Sequence, residues 1–255
     1  MKIYPVLLCF LFVSCSVFKN KNQPSTELAS TKANYKFIDA QGELPMHRNV
    51  LFEESKHKLS TMIKLIDPDK KDNEVMEKVI SVSDVGSLKS RKIKRNVLRP
   101  NISQFTTWLE GKRYFSQIKV LPKSRELLIN LESPEAKWTG ESKVALPRSL
   151  SMYCFYTQIA ECLKFSNVLF ELKKNPNSSI KFGIIWESYP YMSEQWENFP
   201  TEAVTAARVV YDGDAENGDS RFNVEFNGQV AYYHFDKKFE LRKFLWVAQG
   251  ISILR

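Results

Sequence analysis

The chain has 255 residues, of which 43% are hydrophobic, 13% aromatic and 26% charged, with a formal net charge of +8. This composition excludes a mostly disordered chain and supplies ample aromatic surface for a core. Only 9 glycines argue against a glycine-rich repeat or nucleotide loop, and only three histidines (His47, His57 and His234) argue against a multi-histidine metal site.

The chain opens with Met1-Lys2, a short positive region, followed by an almost purely apolar run from Ile3 to Val13. That run is too short to span a bilayer, which takes about 20 apolar residues, and has the length of a signal-peptide core. It ends in Phe12-Val13-Ser14-Cys15, where polar sequence begins. This end resembles the bacterial lipoprotein lipobox, with Phe12 standing where leucine is commonest. The resemblance implies cleavage before Cys15, a diacylglycerol on its thiol and acylation of the new amine. Two or three acyl chains, at about 0.8 kcal/mol per buried CH2, form a stable anchor. The competing reading is an ordinary cleaved signal peptide with Cys15 incidental. Ser16, rather than aspartate, resembles the outer-membrane class. The expected address is the cell envelope, anchored by lipid in the outer membrane and facing the periplasm.

Residues 16–33 are polar and aperiodic, and read as a flexible tether. The expected organisation is a signal peptide over 1–14, lipidated Cys15 and tether over 15–33, and a single β-rich domain over 34–255.

Within that domain most segments read as strands. Leu59–Ile66, Val79–Val82, Phe115–Val120, Leu127–Leu131, Ile180–Trp186 and Ala207–Tyr211 are alternating or β-branched runs between turn signals. Near the end, Phe222–Phe226 and Gln229–Phe235 flank Asn227-Gly228, a pair that tolerates the positive φ of a type I′ hairpin. With Phe239–Val247 and Ile251–Leu254, and Gly250 at the turn between them, they predict a closing four-strand meander. The fold expected is mainly β, a large curved antiparallel sheet or partial barrel with one principal helix.

That helix is predicted over 149–165, where Met152, Phe155, Tyr156, Ile159 and Leu163 recur at helical spacing. Lying across the sheet, the same five residues are the candidates for lining a ligand cavity. Cys154 and Cys162 are the two thiols left after Cys9 and Cys15. Eight residues of continuous helix span about 12 Å, too far for a disulfide. Either the helix ends near Tyr156 and the bridge forms, or both are buried free thiols.

Other motifs carry less chemistry. The acidic loop from Asp212 to Asp219 departs from a calcium loop, with its glycine displaced and Asn223 at the twelfth position; it reads as a solvated turn. Gly218-Asp219-Ser220 resembles the nucleophile block of GDS-type esterases but sits between strands near the chain's end. Lys89 to Arg99 carries six basic residues in eleven. Nucleic acid is not an expected partner of an exported protein, so the run reads as an exposed hairpin or as a patch for anionic envelope groups. Trp186 to Pro200 packs five aromatics and two prolines into a loop, either the lip of an apolar pocket or a cover on the core.

The segments Val230–Lys237 and Leu241–Phe244, in which a strand ending Phe-Asp-Lys turns back to Leu-x-Lys, weakly resemble the LolA/LolB-like carriers of the bacterial envelope, over about 35 residues. That resemblance implies a bent sheet around an apolar cavity and carries over no binding residue. Two functions are therefore expected: noncatalytic binding of a lipid or other amphiphile in a curved sheet, or contact with an envelope protein as scaffold or accessory. No catalytic residue, metal ligand or cofactor is assigned.

Overall fold

The computed structural model describes residues 30–40, 42–67, 75–89 and 94–255. Among these, fifteen strands join in one sheet. Strands β1 (Thr31–Asp39), β2 (Gly42–Glu53), β3 (Lys58–Ile66), β4 (Val75–Lys89), β5 (Lys94–Leu109), β6 (Lys112–Leu121), β7 (Glu126–Glu132) and β8 (Gly140–Ala145) form one antiparallel meander. The chain then crosses to the far edge. There β9 (Tyr153–Phe155), β10 (Ser179–Ile185), β11 (Val204–Asp214), β12 (Ser220–Phe226), β13 (Gln229–Phe235), β14 (Leu241–Trp246) and β15 (Ile251–Leu254) lead back to β1. Every neighbouring pair is antiparallel except β9 with β10, and β15 beside β1 joins the two halves.

The edge strands β8 and β9 do not pair, so the roll is open in hydrogen bonds. Side chains close it instead. Ile118, Leu127 and Ile129 from β6 and β7 pack with Phe155, Ile185 and Val204 from the β9–β11 end. Alternation gives the inner face: Tyr35 and Phe37, Met46 and Val50, Phe222 and Val224, and Tyr233 and Phe235 are all buried.

The expected mainly-β curved sheet is present, as is the closing meander. Asn227 (φ 46°) and Gly228 (φ 72°) occupy the hairpin turn, and Gly250 (φ 65°) the turn into β15. The basic run begins on β4 and ends on β5, which pair as a hairpin from Lys89 and Lys94 inward.

Two expectations need correction. Strand β1 starts at Thr31, so the last three residues assigned to the tether belong to the sheet, paired with Val50, Asn49 and Arg48 of β2. The helix predicted over 149–165 is broken. Tyr153–Phe155 is the edge strand β9, Tyr156–Gln158 is a 3-10 turn, and helix α1 spans only Ile159–Phe165. The apolar side chains of this run are buried or half-buried on strand, turn and helix alike, and such burial mimics helical spacing. Helices α2 (Val168–Lys174) and α3 (Tyr191–Gln195) add to α1, the latter inside the segment read as an aromatic loop.

Because Cys154 lies on β9 and Cys162 on α1, their Cα atoms are 6.0 Å apart and a disulfide joins them. The break in the helix resolves the alternative left open by the spacing, and it falls where α1 begins rather than where it ends.

Candidate functional site

The 3-10 turn at Tyr156–Gln158 rests on a polar patch in the concave face of β3–β5. Gln158 is wholly buried and donates to Thr61 Oγ1 (3.2 Å) and the Ser81 carbonyl (2.8 Å), while Ser83 Oγ donates to Gln158 Oε1 (2.5 Å). Ser81 Oγ lies 2.9 Å from Ser103 Oγ. Buried polar groups need partners, and here the strands supply them in alternate, inward positions. Arg48 on β2 anchors α1 through Glu161 at 2.6 Å and also donates to the Thr157 carbonyl (3.2 Å).

Beside this patch lies Glu187, 2% exposed, just past the apolar β10 run. Its Oε1 accepts from Ser81 Oγ (2.9 Å), the Thr157 backbone N–H (3.2 Å) and Thr157 Oγ1. Its Oε2 is buried without a hydrogen-bond partner among the described residues. Burial pushes the Glu187 carboxyl above the usual range, against the pull of its hydrogen bonds.

Glu187 faces a cavity of about 80 Å³, partly open to the surface. One wall is sheet: Phe37, Met46, Ile63, Leu65, Val79 and Phe105 from β1–β5, with Ile251 and Ile253 from β15. The other is Tyr156 with Met192, Trp196 and Phe199 of the aromatic segment. A second carboxyl, Glu77 on β4, also lines it. Burial, then the charge of Glu187, raises Glu77 to about 7. Burial, then both carboxylates, holds the Tyr156 hydroxyl far above its ordinary value. The cavity thus combines an apolar, aromatic wall with two carboxyls that resist ionisation.

The aromatic segment serves as both cover and lip. Trp186 and Tyr191 are wholly buried, and Trp186 stacks on Trp246 with ring centroids 5.8 Å apart. Tyr191 donates to the Phe115 carbonyl at 2.8 Å, fixing α3 to β6. Met192, Trp196 and Phe199 then face the cavity.

A larger, more open groove of about 440 Å³ follows the seam between the two sheet ends. Val97, Val120, Leu146, Leu150 and Met152 line it, with Arg99, Arg125 and Lys181 among its polar groups. Arg125 is engaged across the seam, donating to the Pro147 and Leu150 carbonyls at 3.2 and 3.3 Å.

The five predicted lining residues do not share a site. Tyr156 lines the inner cavity and Met152 the seam groove. Phe155 is buried in the packing that closes the roll, and Ile159 and Leu163 in the main core. Cys15 lies outside the described residues. Reading a helix placed all five on one face; the break at Tyr156 distributes them. Glu77 and Glu187 are not among the residues that the sequence singles out. The available signal was a carboxylate directly after the apolar run Ile184-Ile185-Trp186.

The remaining motifs are engaged elsewhere. Asp214 pairs with Lys173 and Asp212 with Arg221, and Ser220 donates to Asp214 at 3.0 Å. Ser220 lies opposite Phe235, not His234. Among the described residues no cluster of three His, Cys, Asp or Glu is placed to hold a metal ion, and no helix is long and apolar enough to cross a membrane.

No family model matches the chain, and no curated protein matches its sequence. Among solved structures, it is similar to a β-barrel-like protein of the domain of unknown function DUF1849 from Brucella abortus. The TM-score is 0.49 at 9% identity, covering 89% of this chain and 95% of the other.

Proposed function

We propose that this is a noncatalytic binding protein of the bacterial cell envelope, held at the outer membrane by lipid on Cys15, which receives the polar end of an amphiphile in the inner cavity of its rolled sheet. The observation that carries the binding reading is Glu187 Oε2, buried without a partner among the described residues, in a side chain that lines a mainly apolar and aromatic cavity. A buried polar atom left unpaired is costly, and a bound group that pairs with it removes that cost. The cavity is smaller than the roughly 300–1,000 Å³ that enclose a whole drug-sized ligand. It therefore accommodates one end of an amphiphile, with the chain directed outward through the open side. The lipobox-like Phe12-Val13-Ser14-Cys15 supports the address.

Native mass spectrometry of protein extracted from its membrane tests the binding reading. The expected result is a co-purified amphiphile, reduced in a Leu65→Trp variant that narrows the cavity. A protein that carries no ligand and binds no amphiphilic probe favours the scaffold function instead. For the anchor, Cys15→Ala is expected to release the protein from the membrane fraction; unchanged membrane partition would overturn it.

A further inference from the structure

The inner cavity has a marked chemical bias. Five aromatic rings, from Phe37, Phe105, Tyr156, Trp196 and Phe199, line it together with the carboxyls of Glu77 and Glu187. Among the described residues no lysine, arginine or histidine lines it. Glu187 Oε2 is buried and unpartnered among the described residues, in a side chain 2% exposed.

We propose that the inner cavity selects a cationic head group, an alkylammonium or quaternary ammonium, clasped by the two carboxylates and the surrounding aromatic rings. This rests on the amphiphile-binding reading above and specifies its ligand. The faces of aromatic rings are electronegative and attract desolvated cations. Two carboxyls sharing an apolar site disfavour each other's ionisation, and a cation between them removes both the repulsion and the lack of counter-charge. An anionic head group would bring a third like charge. A neutral hydroxyl would satisfy Glu187 Oε2 and leave Glu77 unmatched.

Binding is consequently linked to protons. Among the described residues the titratable groups facing Glu77 are Glu187 and Tyr156, and burial holds all three toward their neutral forms, with Glu77 at about 7. A cation favours the ionised carboxylates, so its entry expels protons and its affinity rises as pH climbs through 7.

Calorimetric titration of the purified protein with three probes that share a six-carbon chain, hexyltrimethylammonium, hexanol and hexanoate, at pH 6 and pH 8 tests the assignment. At pH 8 the ammonium is expected to bind at least about tenfold more tightly than either other probe, and to lose several-fold at pH 6. Glu77→Gln should reduce ammonium affinity about tenfold while melting cooperatively, no lower than the wild type, and keeping the wild-type hexanol affinity. Glu187→Gln, which leaves an acceptor for Ser81 and Thr157, should also reduce it; should that variant unfold, Glu77→Gln alone decides. Hexanol or hexanoate binding as tightly as the ammonium would overturn the cation assignment and leave the amphiphile reading standing. Failure of all three probes to bind would overturn both.

Discussion

Arg48 of β2 donates to Glu161 of α1 at 2.6 Å, and the two side chains are only 7% and 13% exposed. The pair fixes a seven-residue helix to the concave face of the sheet, next to the turn that carries Tyr156 and Thr157. A helix this short has little stability of its own, so its position depends on such contacts. Removing one partner of a buried ion pair strands the other. Arg48→Ala is expected to lower unfolding free energy by about 3–5 kcal/mol, measured by urea denaturation. The double change Arg48→Met, Glu161→Leu should recover most of that loss. A double variant as unstable as Arg48→Ala would mean that the two residues act independently.

The Cys154–Cys162 bridge ties the edge strand to the same helix. For so short a loop, the chain-entropy contribution is about 2–3 kcal/mol. Reduction with dithiothreitol, or Cys154→Ser with Cys162→Ser, should lower the melting temperature by several degrees and leave the far-ultraviolet spectrum strand-rich. An unchanged melting temperature would show that the buried packing around α1 holds the junction by itself.

Phe155 and Met152, assigned to one helical face by their spacing, should respond differently. Phe155 is wholly buried in the packing that closes the roll, so Phe155→Ala is expected to cost about 3–5 kcal/mol. Met152 is partly buried along the seam groove, and Met152→Ala should cost about 1 kcal/mol. Chemical denaturation of the two variants makes the comparison. Equal losses would indicate that the groove is as tightly packed as the core.

The legible strands are those whose inward positions are apolar. Phe222, Val224 and Phe226 on β12 alternate cleanly, and the Asn227-Gly228 turn follows from residue type. Strand β2 is hard to read because it carries Pro45 and turns the charged Arg48 inward. Strand β5 was obscured by the basic run at its start and by Pro100, which sits at a register shift opposite Ser83, where a proline is tolerated. On β4 the inward series is Glu77, Val79, Ser81 and Ser83, a polar stripe that reads as a solvent face until Gln158 and Glu187 are seen against it. The candidate site was illegible for the same reason. Its carboxyls come from segments about 110 residues apart, and only the roll of the sheet brings them to one cavity.

Gly228 has a positive φ and open space where a Cβ would stand. Gly228→Val therefore meets no clash beyond the backbone itself, and the expected cost is about 1–3 kcal/mol of conformational strain. Thermal denaturation checks it. A neutral result would mean that the turn adopts another geometry when its glycine is lost.

Glu77 makes stability depend on pH in a direction opposite to that of a salt-bridged carboxylate. Its folded pKa of about 7 stands above the usual 4.5. Below about pH 4 the carboxyl is protonated in both folded and unfolded chains, and its contribution is at its most favourable. As pH rises past 4.5 the unfolded chain ionises first, and this drains stability until the folded form ionises near 7. Glu77→Gln removes that drain. The variant is expected to match the wild type at pH 4 and to exceed it at pH 8 by roughly 1–3 kcal/mol, read from urea unfolding at the two pH values. A variant less stable than wild type at pH 8 would mean that the Glu77 carboxylate is compensated in the folded protein, and would place a positive partner beside it.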